Sequence, residues 1–78
     1  MDYSTMSLNQ IAIEIYKDWP KVYFGAVPYL EAMATLESIK DDYFCDSGSS
    51  VVAYFLSNSS HWTGPIAREI KKELRCRL

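Results

Sequence analysis

The side chains able to do chemistry in this chain are few, and their spacing limits what they can do. One histidine, His61, stands beside Ser59 and Ser60, while Cys45 and Cys76 lie far apart in sequence. Acyl transfer needs a nucleophile, a base and a third group that orients the base. No residue from Ser47 to Ala67 carries a formal charge, so the stretch around His61 offers no orienting acid. Ser59 and Ser60 read as turn residues whose hydroxyls bond nearby backbone, and no catalytic residue is assigned. His61, Cys45 and Cys76 make too few ligands for the four of a structural zinc. Glu37, Asp41, Asp42 and Asp46 lack the D-x-D-x-D-G spacing of a calcium loop and read as a solvated turn ending in an N-cap. Gly25, Gly48 and Gly64 are isolated, so no glycine-rich loop cradles a phosphate. Neither an enzyme nor a cofactor or metal is expected.

Two groups remain. Arg68, Lys71, Lys72, Arg75 and Arg77 could present cations to a nucleic-acid backbone. Glu69 and Glu73 interleave with them, and bases near a helix C-terminus already favour the macrodipole, so a solvated helix face is the preferred reading. A helix-turn-helix is excluded on detail. The turn from Ser59 to Thr63 is too long, and Gly64-Pro65 occupies the reading end of the second helix. The other group is aromatic: Trp19, Tyr23, Phe24, Tyr43 and Phe44 fall in connections, which run over the surface. Aromatics are enriched at interfaces, and these five are the candidate interface. The competing reading is that they close the ends of the bundle.

The elements that position these residues follow from capping and periodicity. Asp46 or Ser47 is a candidate N-cap for a helix of about residues 47–58 carrying the run Val51–Leu56. Six consecutive apolar residues do not fit one stripe, so this central helix is expected to be covered on several sides. Ser7 and Gln10 fit a capping box. They open a helix from about Leu8 to Asp18, with Leu8, Ile11, Ala12, Ile15 and Trp19 inward and Ile13 and Tyr16 widening that face. Pro20 ends it, because the residue before a proline disfavours helical geometry. Residues 21–25 form a connection around Gly25. A second helix of about Val27–Ile39 carries Pro28 in its first turn and turns Tyr29, Leu30, Met33 and Leu36 inward, with Glu31 and Glu37 outward. The last helix takes Thr63 as N-cap and Pro65 in its first turn, with Ile66, Ala67, Ile70, Leu74 and Leu78 inward and Trp62 set to pack on Ala67. The expected fold is all-α and without a sheet: one compact four-short-helix domain spanning residues 1–78, with residues 1–6 frayed.

Composition sets the outer limits. Seventy-eight residues, 49% of them hydrophobic and 14% aromatic, argue for a globule over a disordered tail. A chain this short buries only about 60–65% of its unfolded surface. Eleven aromatics exceed what such a core can cover, so self-association as a homodimer is expected. The net charge of −2 implies no strongly charged partner. Residues 1–60 hold eight acids and three bases, and residues 61–78 hold five bases and two acids. Two cysteines outside any C-x-x-C point to a reducing compartment. With no signal-peptide pattern and no membrane-length apolar run, a cytoplasmic protein is expected.

The stretches Tyr23–Met33, Asp46–Gly48 with Val51–Leu56, and Ala67–Leu74 resemble a family of small uncharacterised proteins of tailed bacteriophages, often marine ones. The resemblance covers most of residues 7–78. It implies a viral or host-cytoplasmic setting and an accessory role, and it carries over no functional residue. The class expected is therefore a non-enzymatic, self-associating helical interaction protein, with a host protein as a further candidate partner. The alternative is a small nucleic-acid-associated protein using Arg68, Lys71, Lys72 and Arg75.

Phe55 should be central to the core. Phe55→Ala is expected to cost about 3–5 kcal/mol, read from chemical denaturation, and a melt like that of the parent chain would show that the central helix is misplaced.

Overall fold

The first helix starts at the capping box. In the computed structural model, which describes residues 2–78, the Ser7 hydroxyl accepts the Gln10 amide and the Gln10 side chain accepts the Ser7 amide. Helix α1 runs Leu8–Asp18 and buries Leu8, Ile11, Ala12 and Ile15 completely. Trp19 follows as C-cap, just before Pro20. Ile13 and Tyr16 do not widen the buried face; they are 53% and 41% exposed.

Helix α2 spans Val27–Met33 and ends well short of the expected Ile39. The cause lies in α1. A helix leaves its first amides without intrahelical partners. Here Leu8 and Asn9 donate theirs to the carbonyls of Glu37 and Leu36, each at 2.9 Å. Those carbonyls can reach across only if residues 34–38 leave the helix. The Thr35 hydroxyl bonds the Ala32 carbonyl at 2.7 Å, and the Asp41 carboxylate accepts the Glu37 and Ser38 amides at 3.0 and 3.1 Å.

The expectation of no sheet is corrected by a small antiparallel hairpin, β1 (Asp42–Tyr43) and β2 (Asp46–Ser47), with Asp42 opposite Ser47 and Tyr43 opposite Asp46. Its two-residue turn holds Phe44 at φ 54°, a left-handed conformation that side chains with a Cβ rarely adopt. The hairpin delivers Ser47 in extended geometry to cap helix α3 (Gly48–Ser57), where its hydroxyl accepts the Ser50 amide at 3.2 Å. Val51, Val52 and Phe55 are buried, so the apolar run is helical and not a strand. It is not enclosed on all sides either: Ala53 is exposed and Tyr54 is 51% exposed. Over the described residues the fold is mostly helical, with four α-helices, a 3-10 turn and a two-stranded hairpin.

Helix α4 (Pro65–Arg77) is capped by Gly64 rather than Thr63. Gly64 adopts φ 108°, and no side chain bonds the first-turn amides. Ala67, Ile70 and Leu74 face the core, whereas Ile66 and Leu78, expected inward, are 40% and 55% exposed. Residues 3–5, expected to fray, form a 3-10 turn in which Tyr3 is buried, and Arg77 Nη2 donates to the Tyr3 carbonyl at 2.8 Å. Met1, the other end of that expectation, lies outside the described residues. The radius of gyration is 11.1 Å, near the ~11.5 Å of a folded domain this long. Among the described residues no helix is long and apolar enough to cross a membrane.

Gly48 is the tightest joint. A Cβ there would sit 2.8 Å from the Ile39 and Ser38 carbonyls and 2.9 Å from that of Asp41. Gly48→Ala normally favours a helix; here it is expected to destabilise by about 1–3 kcal/mol, measured by urea unfolding, because the atoms in the way are backbone.

Candidate functional site

Trp19 leaves the set of candidate interface residues. Its indole is buried and stacks on Trp62, centroids 5.7 Å apart and planes within 7°. Phe55 meets both rings edge-on at 6.4 and 6.3 Å. Position in a connection does not place a ring at the surface: Asp18 and Pro20 on either side are exposed while the indole turns inward.

The other four candidates form two separate patches. Tyr23 and Phe24 lie with centroids 4.7 Å apart, and Tyr23 also meets His61 at 5.5 Å. Phe24 is 79% exposed. This patch sits beyond the C-terminus of α3, where a Cβ on Gly25 would crowd Tyr23 and Asn58. Tyr43 and Phe44 meet edge-on at 4.7 Å on the hairpin that precedes the N-terminus of α3, with Tyr43 packed against the core and Phe44 88% exposed. The ten-residue helix α3 puts about 15 Å between the two patches. They are two surfaces, not one.

Sequence reasoning missed a neighbour of the first patch. Tyr29 of α2 and Tyr54 of α3 pair at 5.3 Å across the seam between the helices. Asn58, which follows Tyr54 by one turn and donates to its carbonyl at 2.9 Å, links this pair to Gly25 and Tyr23. The two pairs make an aromatic strip at this end of the α2–α3 seam, interrupted by Gly25 and Asn58. The signal was present: Tyr54 falls on the side of the apolar run opposite Val52, and Tyr29 is four residues past Gly25.

The basic group is divided by the structure. Lys71 does not face away. Its ammonium donates to the Ser59 carbonyl at 2.7 Å and the Trp62 carbonyl at 2.5 Å, and sits 5.7 Å from the centroid of the Trp62 ring. Burial, and then the nearby Arg75 charge, hold its pKa below the ordinary lysine value. Lys72 borders a different recess with Glu69 and Glu73. Arg77 pairs with Glu73 at 2.7 Å. Arg68 and Arg75 are exposed, and among the described residues neither forms an ion pair.

The remaining reactive groups are placed as follows. Ser59 is buried and its hydroxyl donates to the Leu56 carbonyl at 2.8 Å. His61 is exposed beside Tyr23. Cys45 and Cys76 are free and exposed. Among the described residues no three His, Cys, Asp or Glu side chains gather as a metal site would require. Comparisons with protein-family models, curated proteins and solved structures return no match for this chain.

Lys71 and Arg68 should separate cleanly in stability. Lys71→Met leaves the Trp62 carbonyl without its donor and the Ser59 carbonyl with the Trp62 amide alone, and is expected to cost about 1–3 kcal/mol. Arg68→Ala should stay within about 0.5 kcal/mol of the parent. Equal denaturation midpoints for the two variants would show that the Lys71 contacts do not hold the turn.

Proposed function

We propose that this chain is a non-enzymatic interaction protein that pairs with a second copy of itself through the aromatic strip on the α2–α3 seam. The observation that carries the reading is Phe24, 79% exposed beside Tyr23 at the end of the seam that the Tyr29–Tyr54 pair occupies. A two-fold contact brings such a strip against its own copy, ring on ring, in the offset geometries that aromatic pairs prefer. A net charge of −2 opposes that approach only weakly. Phe44 is the centre of a second surface, suited to a different partner, because it lies at the other end of α3. The free cysteines fit a reducing, cytoplasmic setting, and the resemblance to tailed-phage proteins would make that the cytoplasm of a host.

The nucleic-acid alternative has less behind it. Of its four residues Lys71 is held against two backbone carbonyls, with one N–H left to offer, and Lys72 lies among glutamates.

Sedimentation equilibrium tests the reading. The expected mass is twice the 9.0 kDa of one chain at micromolar concentration. Phe24→Ser should weaken pairing at least about tenfold, since each ring withdrawn from water is worth about 1.5–3 kcal/mol. Phe44→Gly should leave the dimer intact and raise the melting temperature, because glycine relieves the left-handed backbone. A mass that stays at 9.0 kDa, or a dimer lost with Phe44 and kept with Phe24→Ser, overturns it.

A further inference from the structure

A groove of about 260 Å³ opens at the head of α4, with Trp62 and Gly64 on one side and Arg68, Lys71 and Arg75 along the other. The three bases recur at spacings of three and four and so share one face of the helix. Lys71 spends two of its three N–H groups on the Ser59 and Trp62 carbonyls, which holds the ammonium in place and leaves one donor free. Arg68 and Arg75 flank it with no acid bound to either among the described residues. Space at Gly64 is open, since a Cβ there would meet nothing within 4 Å. The uncapped first turn of α4 adds unbonded backbone amides at the same end.

We propose that this groove binds a small phosphorylated ligand through a phosphate or pyrophosphate group, held between the Arg68 and Arg75 guanidiniums and the free N–H of Lys71. Guanidinium forks match the geometry of phosphate oxygens. The reach of the site selects a small ligand over a nucleic acid. Arg68 and Arg75 are seven residues apart, about 10 Å along the helix, which spans only a few phosphates of a strand. Beyond it lie the glutamates Glu69 and Glu73 around Lys72, which repel an extended polyanion.

The test is a titration of the full chain with inorganic pyrophosphate, followed by amide chemical shifts. Saturable shifts at Ile66, Ala67 and Arg68 are expected at millimolar ligand. The double variant Arg68→Ala, Arg75→Ala should weaken binding at least about tenfold with an unchanged melting curve, because both side chains are exposed. Lys72→Ala, on the other side of α4, should bind as the parent does. Absence of saturable shifts overturns the proposal, as does equal weakening by Lys72→Ala, which would mean unspecific attraction to the basic helix. A single-stranded oligonucleotide that displaces pyrophosphate and shifts the amides of Lys72 and Arg77 as well would replace the small ligand by a nucleic acid.

Discussion

Trp62 is the side chain through which three of the four helices meet. Its indole is 2% exposed, stacked on Trp19 from the end of α1 and touched edge-on by Phe55 from the middle of α3. Its Nε1 donates to the Asp18 carboxylate at 2.8 Å, so the one polar atom of the ring is satisfied. Its carbonyl accepts from Lys71, whose ammonium also lies near the ring face. A buried indole withdraws about 150–250 Å² from water, a gross gain of about 4–6 kcal/mol. That is comparable to the whole net stability of a small domain. The turn between α3 and α4, the direction in which α4 leaves, and the loss of Trp19 from the surface all depend on this packing.

A second constraint shapes the middle of the chain. Backbone groups at the start of α1 need partners, and the carbonyls of Leu36 and Glu37 supply them. That requirement ends α2 early and sends residues 34–47 through a turn and a hairpin. The same hairpin brings the Asp41 carbonyl within 2.6 Å of the Gly48 amide, an approach that only a residue without Cβ permits. Hydrogen-bond satisfaction, not helix propensity, decides the geometry here.

Three of the surfaces the fold leaves outside differ in chemistry. The α2–α3 seam presents tyrosine and phenylalanine, the hairpin tip presents Phe44, and the head of α4 presents arginine. The slab is only 17 Å thick along its shortest axis, too thin to hide every aromatic ring the chain carries. Phe44 is the costliest of these exposures. It is held in a left-handed conformation and gains almost no burial in return, with its edge-on contact to Tyr43 as the intrachain gain over glycine.

Local signals carried α1 almost whole. The Ser7–Gln10 box, the spacing Leu8, Ile11, Ala12, Ile15, Trp19 and the stop before Pro20 are each decided within one helical turn of the residues concerned. The cap at Ser47 and the inward set Ala67, Ile70 and Leu74 were legible for the same reason. The end of α2 was not, because its cause lies about thirty residues upstream, at Leu8 and Asn9. Nor was the fate of Trp19 and Lys71. An aromatic ring in a loop and a lysine on a helix face carry no local mark of whether they turn inward. Trp19 was drawn in by Trp62, and Lys71 by the Ser59 and Trp62 carbonyls of the turn before α4. The sequence by itself determined where α1 and α3 begin and the central stripes of α1 and α4, since those depend on neighbours three and four residues away. Only the tertiary structure decided where α2 stops, which aromatics stay in water and which cations remain free, since each depends on a partner distant in the chain.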